Sequence, residues 1–276
     1  MSWAFAYASV AGQGHLREGL PCQDACALDY DGRFGVAVVC DGAGSCEHGH
    51  TGARQACEFA RLRFSDLVKG QGWQEGQALP DPGRWKECAE ETLFAVKTDL
   101  FHFAAEENLD WKSLSCTIIV VLFFPTGLLV THIGDGRAGY LHDGCWSGLI
   151  TPYRGEVANE TVFLTSAIWD RESPGQYIRC RVIAHPVDAF CLLSDGCERA
   201  SFEINYFDPD KQKYYDPNRP FPNFFNPNVQ ALKQFSSAQK SQQEINALWA
   251  DFLTAGNPKL RLETDDKTMI LALRIG

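Results

Sequence analysis

Residues 34–44 read FGVAVVCDGAG, an apolar run that stops at an acid flanked by glycine. A strand with one wet face alternates polar and apolar residues. From Phe34 to Cys40 no charged or hydrogen-bonding side chain interrupts the run, so both faces of this strand are expected to be covered. Just before it, Asp31-Gly32 is a tight-turn dipeptide, and 24–30 reads as the partner strand of a hairpin. Just after it the period changes. Ala53, Ala56, Cys57, Ala60, Phe64, Leu67 and Val68 share one helical face across 47–69. A doubly covered strand beside an amphipathic helix requires stacked layers of sheet and helix.

Further out, the same two periods recur. Residues 85–107 form a second helical pattern through Ala89, Leu93, Val96, Leu100, Phe101 and Ala104, after a Gly/Pro-rich loop at 70–83. Strands are expected at 3–10, 115–124, 127–133, 136–142, 145–150, 178–184, 189–194 and 268–274. Turns as short as Pro125-Thr126-Gly127 and Asp143-Gly144 make neighbours antiparallel, because a parallel crossover takes a dozen or more residues. Residues 207–228 carry Pro209, Pro217, Pro220, Pro222 and Pro227 among asparagines and aromatics, and read as irregular. A helix follows at 241–254, with Ile245, Leu248, Trp249, Phe252 and Leu253 on one face. The expectation is an α+β fold of two packed antiparallel sheets flanked by helices. Residues 1–276 would form a single domain, with 201–261 as a helical insert before the last strand. No internal repeat, G-x-G-x-x-G turn or P-loop is present.

Bulk composition narrows the partners. Apolar residues make up 45% and charged residues 22%, a globular mixture. A net charge of −10 disfavours nucleic acid and anionic membrane surfaces, both of which are bound through Lys and Arg. No stretch approaches a membrane span. The apolar opening at 1–11 has no basic segment before it and alternates like a strand, so the expected location is cytoplasmic. The 11 cysteines are then expected to be reduced thiols.

The chemistry gathers at strand ends. Strand 34–40 runs into Asp41-Gly42-Ala43-Gly44, strand 127–133 into Gly134-Asp135-Gly136-Arg137, and strand 189–194 into Ser194-Asp195-Gly196. Gln23-Asp24 opens one strand, and Thr264-Asp265-Asp266-Lys267-Thr268 precedes the last. Any one of these is ordinary turn chemistry. Five in one chain are harder to explain as turns, because clustered carboxylates repel and raise one another's pKa unless cations neutralise them. Mg²⁺ and Mn²⁺ take oxygen ligands, including a carbonyl at a glycine where no Cβ obstructs approach.

The order Q-D, D-G-A-G, G-D-G-R, S-D-G, D-D-K-T resembles the metal-dependent Ser/Thr protein phosphatase family (PPM, type 2C). It is most similar to a bacterial branch that opens with P-C-Q-D, as at Pro21 to Asp24. The resemblance covers about 5–200 and 262–275. It implies an αββα sandwich with a metal site at one end of the sheets, holding two Mn²⁺ or Mg²⁺ ions and a third, weaker one. By position it makes Asp41 the bridging ligand and the Gly42 carbonyl a ligand of the second metal. Asp195 and Asp265 become ligands of the first metal, Asp24 a ligand or its support, and Asp135 a ligand of the third. Gln23 stands where the family commonly has Glu, and therefore binds weakly. The family's phosphate-binding Arg falls at Gly19, which leaves Arg17 or His15 for that contact. The implied reaction is hydrolysis of phosphoesters by a metal-activated water, with no covalent intermediate. The implied partners are proteins phosphorylated on Ser or Thr, together with a partner kinase.

Other readings are weaker. Cys46-Glu47-His48-Gly49-His50 lacks a second ligand pair at zinc spacing and reads as a cap at a helix entry, near the acidic cluster. His48 and His50 join His15 as candidates to protonate a leaving alkoxide. No C-x₅-R loop supports a cysteine nucleophile. The alternative function is a catalytically weak phosphoprotein-binding or sensor domain of the same fold. The aromatic run Tyr214, Tyr215, Phe221, Phe224 and Phe225 reads as a local mini-core or a docking surface.

Overall fold

The strand read first, Gly35–Cys40 (β3), lies between two apolar layers, as its composition demands. Val36, Val38 and Cys40 pack toward helices, while Ala37 and Val39 pack toward a second sheet. The computed structural model describes residues 2–75, 78–153, 161–171 and 174–275. Residues 76 and 77 of the loop expected at 70–83 lie outside this set.

Two five-stranded sheets face each other. One has the order β2 (Ala25–Tyr30), β3, β4 (Ile118–Phe124), β5 (Gly127–Ile133) and β8 (Arg179–Ile183). The other has the order β1 (Ser2–Val10), β14 (Lys267–Ile275), β9 (Ala189–Leu193), β6 (Arg137–His142) and β7 (Cys145–Gly148). Every pairing within them is antiparallel. The inner faces meet around Phe123, whose ring lies 5.3 Å from Trp3 and 5.1 Å from Phe190 between centroids.

Helices α2 (Gly49–Gly70) and α3 (Pro82–Glu106) cover the outer face of the first sheet. The α3 start is set by Asp81, whose carboxylate accepts from the amides of Gly83 and Arg84, with Pro82 in the first turn where no N–H is needed. Trp85 is fully buried there, and its indole donates to the Val130 carbonyl at 2.8 Å. His48 stands at the N-cap of α2, but its side chain makes no capping bond.

Segment 201–261 lies between β9 and β14 in the chain and is helical, as expected. Its helices α5 (Pro222–Ser237), α6 (Gln242–Asp251) and α7 (Pro258–Leu262) form the outer layer on the second sheet. Phe224, Phe225, Leu232, Ile245, Trp249, Leu253 and Leu260 share one core with Ala189, Cys191, Leu193, Met269 and Leu271 of that sheet. The expected irregular stretch 207–228 therefore ends inside α5. Pro222 sits in its first turn, and Pro227 removes one amide near the start, so neither stops the helix. The rest of the stretch forms short ribbons. Strand β10 (Phe202–Glu203) pairs with β13 (Arg219–Pro220), and β11 (Tyr206–Asp208) pairs with β12 (Lys213–Tyr215).

The aromatic run divides accordingly. Phe224 and Phe225 are core, whereas Tyr214 and Tyr215 are exposed. All 11 cysteines are free thiols. Among the described residues no helix is long and apolar enough to cross a membrane.

Candidate metal centre

The acids converge because β3, β5 and β9 end, and β14 begins, at the same end of the two sheets. His15, Gln23, Asp41, Gly42, Asp135, Asp195 and Asp265 line one cavity of about 190 Å³, joined by Asp266, Ala43, Gly44, Thr117, Thr161 and Phe163. Asp24 does not line it. It is buried beside the cavity, and its Oδ2 accepts from the Ser194 hydroxyl at 2.6 Å. Arg17, the other sequence candidate for the phosphate contact, is exposed and outside the lining. His48 and His50 do not line it either.

Backbone contacts hold the acids in place. The Asp41 amide donates to Thr117 Oγ1 at 3.2 Å, and the Thr117 amide returns a bond to the Asp41 carbonyl at 2.8 Å. Gly42 must be glycine, since a Cβ there would lie 2.6 Å from the carbonyl oxygens of Gln23 and Gly49. Gly196, after Asp195, is held the same way, with a Cβ position only 2.0 Å from the Asp266 carbonyl oxygen. Asp266 organises the opening segment. Its carboxylate accepts from the Gly12 amide at 2.7 Å and the Gln23 amide at 2.5 Å, and it faces His15 Nδ1 at 2.8 Å. Asp135 Oδ2 accepts from the Thr161 hydroxyl at 2.7 Å.

The cluster is electrostatically strained without counter-charge. Burial, then the nearby Asp24, Asp195, Asp265 and Asp135, push the Asp41 carboxyl well above the usual carboxylate range. Burial pushes Asp24 up to about 7, with Asp266 adding to it against the opposing Ser194 hydrogen bond. Asp195 is also raised to about 7, by burial and then by Asp265, Asp135 and Asp24. Asp265 is raised chiefly by burial. Two buried side-chain oxygens here, Gln23 Oε1 and Asp195 Oδ1, have no hydrogen-bond partner. Unpartnered oxygens among crowded carboxylates, with no sulfur ligand in the lining, fit a hard divalent cation.

Sequence reasoning missed Asp266, Thr117, Thr161, Phe163 and Ser194 as members of the site. Asp266 was visible in the D-D-K-T run. The threonines carry no motif of their own. The helix α1 (Gln13–Glu18) that presents His15 is too short to show a period.

The chain is 32% identical to serine/threonine-protein phosphatase 3 of Escherichia coli (strain K12), over 99% of each sequence. Among solved structures, serine/threonine phosphatase Stp1 from Staphylococcus aureus is 14% identical, with a TM-score of 0.55 over 100% of this chain and 96% of that one. The Mycobacterium tuberculosis serine/threonine phosphatase PstP/Ppp is 16% identical, with a TM-score of 0.53 over 100% of both. The family model for protein phosphatase 2C matches residues 11–248, a span that takes in the Gln23, Asp41, Asp135 and Asp195 motifs. With relatives, architecture and acidic cleft in agreement, the chain belongs to the protein phosphatase 2C family of serine/threonine phosphatases.

Proposed function

We propose that this cleft removes phosphate from phosphoserine and phosphothreonine in proteins, using Mn²⁺ or Mg²⁺ held by Asp41, Asp195, Asp265, Asp135 and the Gly42 carbonyl, with Gln23 a weak ligand. The observation that carries this reading is the carboxylate cluster itself, with unpartnered Gln23 Oε1 and Asp195 Oδ1 among crowded acids. Divalent cations bound there supply the charge that acidifies water and offsets negative charge developing at phosphorus.

The chain's own groups do the rest. Asp41, anchored through its backbone to Thr117, presents a carboxylate at the centre of the cluster. Asp266 and Gln23 fix the opening segment, and thereby His15, against the last strand. His15 lines the cleft with Nδ1 2.8 Å from the Asp266 carboxylate, and its ring is the group placed to contact phosphate or pass a proton to the departing serine oxygen. Asp24 supports the cluster from beneath through Ser194.

Phosphate release from phosphoserine and phosphothreonine peptides tests the proposal. Turnover should vanish in chelator and return with Mn²⁺ or Mg²⁺, with no requirement for Zn²⁺. Full turnover by metal-stripped protein would overturn the mechanism. Metal-dependent peptide binding without turnover would favour the sensor reading instead.

A further inference from the structure

The run Gly134-Asp135-Gly136-Arg137 sends its acid to the cleft and its arginine elsewhere. Arg137 begins β6, in register with Leu193 at the end of β9. Its side chain is 0% exposed, beneath the layer formed by 201–261. The guanidinium donates to Glu198 Oε2 at 2.9 Å, to Asp216 Oδ2 at 2.5 Å and to Asn218 Oδ1 at 2.6 Å. It also lies 5.5 Å from the Phe202 ring centroid. Asn218 is itself fixed. Its amide donates to Asp216 Oδ1 at 2.8 Å, and its Nδ2 donates to the Ile150 carbonyl at 2.6 Å.

The chain positions of these partners matter. Arg137 follows Asp135 by two residues, and Glu198 follows Asp195 by three. One planar cation therefore ties together the two loops that carry these acids. Asp216 and Asn218 come from 201–261, a segment that contributes no residue to the cleft lining. A buried guanidinium is a poor source of net stability, because desolvation offsets most of the Coulombic gain. Its fork of donors does fix geometry, since each acceptor is held in one plane and direction.

We infer that Arg137, clamped by Asp216 and Asn218, is a positioning residue that sets the spacing of the Asp135 and Asp195 loops. Segment 201–261 thereby controls the cation affinity of a cleft it does not line. The inference rests on reading that cleft as a divalent-cation centre.

Calorimetric titration of Mn²⁺ into wild type, Asp216→Asn and Ile245→Val, with the thermal midpoint of each in chelator, separates the two claims. Wild type should bind Mn²⁺. Asp216→Asn, which keeps the shape and removes the charge, should bind it roughly 10- to 100-fold more weakly, the usual effect of losing a group that orients ligands. Ile245→Val loosens the same helical layer away from the network and should keep wild-type affinity. Asn218→Ala, with the same expectation, stands in if Asp216→Asn does not fold. Wild-type affinity in a folded network variant would overturn the inference, as would equal weakening in Ile245→Val. A wild type that binds no Mn²⁺ would instead remove the metal reading, and the inference with it.

Discussion

Gln23 places a neutral amide among carboxylates. Its backbone amide is held by Asp266, and its side-chain oxygen is buried without a partner. Divalent affinity rises with ligand charge count. Gln23→Glu should therefore tighten Mn²⁺ binding and lower the Mn²⁺ concentration giving half-maximal hydrolysis, and the direction of the shift is the test. Weaker binding in a folded variant would mean that residue 23 does not face the cation. His15 gives a second residue-level prediction. If its ring protonates the leaving oxygen, the need depends on how poor that leaving group is. His15→Ala should slow phosphoserine peptide hydrolysis by roughly 100-fold or more, and p-nitrophenyl phosphate hydrolysis far less, since nitrophenolate departs unprotonated. Equal slowing on both would assign His15 to phosphate binding instead. Most of the cleft lining was legible as acids beside glycine or in a polar run at strand boundaries, and the family resemblance implied that they share one site: Asp41, Asp135 and Asp195 follow β3, β5 and β9, and Asp265 precedes β14. The choice of His15 over Arg17 was not legible, because it depends on which way one short helix turns its residues.

Among the elements, α5 shows how composition can hide a helix. Its prolines suggested irregular chain, yet Phe221, Phe225, Val229, Leu232 and Phe235 recur at intervals of four, four, three and three, a helical stripe. Pro222 stands in the first turn, where no amide is needed, and Pro227 gives up one helical hydrogen bond that the buried stripe outweighs. The sandwich strands were easier to read, because each long apolar run is bounded by a turn and both faces are covered. This difference bears on whether 207–228 can be removed, since an irregular surface stretch could be deleted without harm to hydrolysis of a small phosphoester. In the structure, deletion would strip Asp216 and Asn218 from buried Arg137 and remove Phe224 and Phe225 from the core. The deletion should yield unfolded or insoluble protein. Phe225→Ala alone should cost roughly 3–5 kcal/mol, as for other buried aromatics, measured by denaturant unfolding. A soluble, cooperatively folding deletion with normal turnover would show that the outer layer is dispensable.

At the scale of the whole molecule, the cluster concentrates part of the chain's −10 charge at one end of the sheets, so a cation held there would contribute to stability. In metal-free protein burial and the neighbouring acids push the Asp24 and Asp195 carboxyls from the ordinary 3.8 up to about 7. Between those values the folded state binds more protons than the unfolded chain. Stability contributed by the cluster is thus greatest in acid and falls as pH rises toward 7. His132 acts oppositely: burial lowers it to about 4 from 6.5, so its contribution grows with pH across that interval and then levels off. The difference between wild type and Asp195→Asn isolates the cluster. In chelator, Asp195→Asn should be the more stable protein at pH 8, with the gap closing toward pH 5, while its phosphatase turnover falls by at least roughly 100-fold. Saturating Mn²⁺ should invert the order. Cation at about 100 times its dissociation constant stabilises the folded state by about 2.7 kcal/mol, which for a chain of this size is a rise in melting temperature of roughly 5–10 °C. Asp195→Asn should gain much less. Thermal melts at pH 5, 6.5 and 8, with chelator and with Mn²⁺, decide the matter. If the wild-type midpoint matches that of Asp195→Asn at every pH and ignores Mn²⁺, the carboxylates do not act as one cation-holding unit.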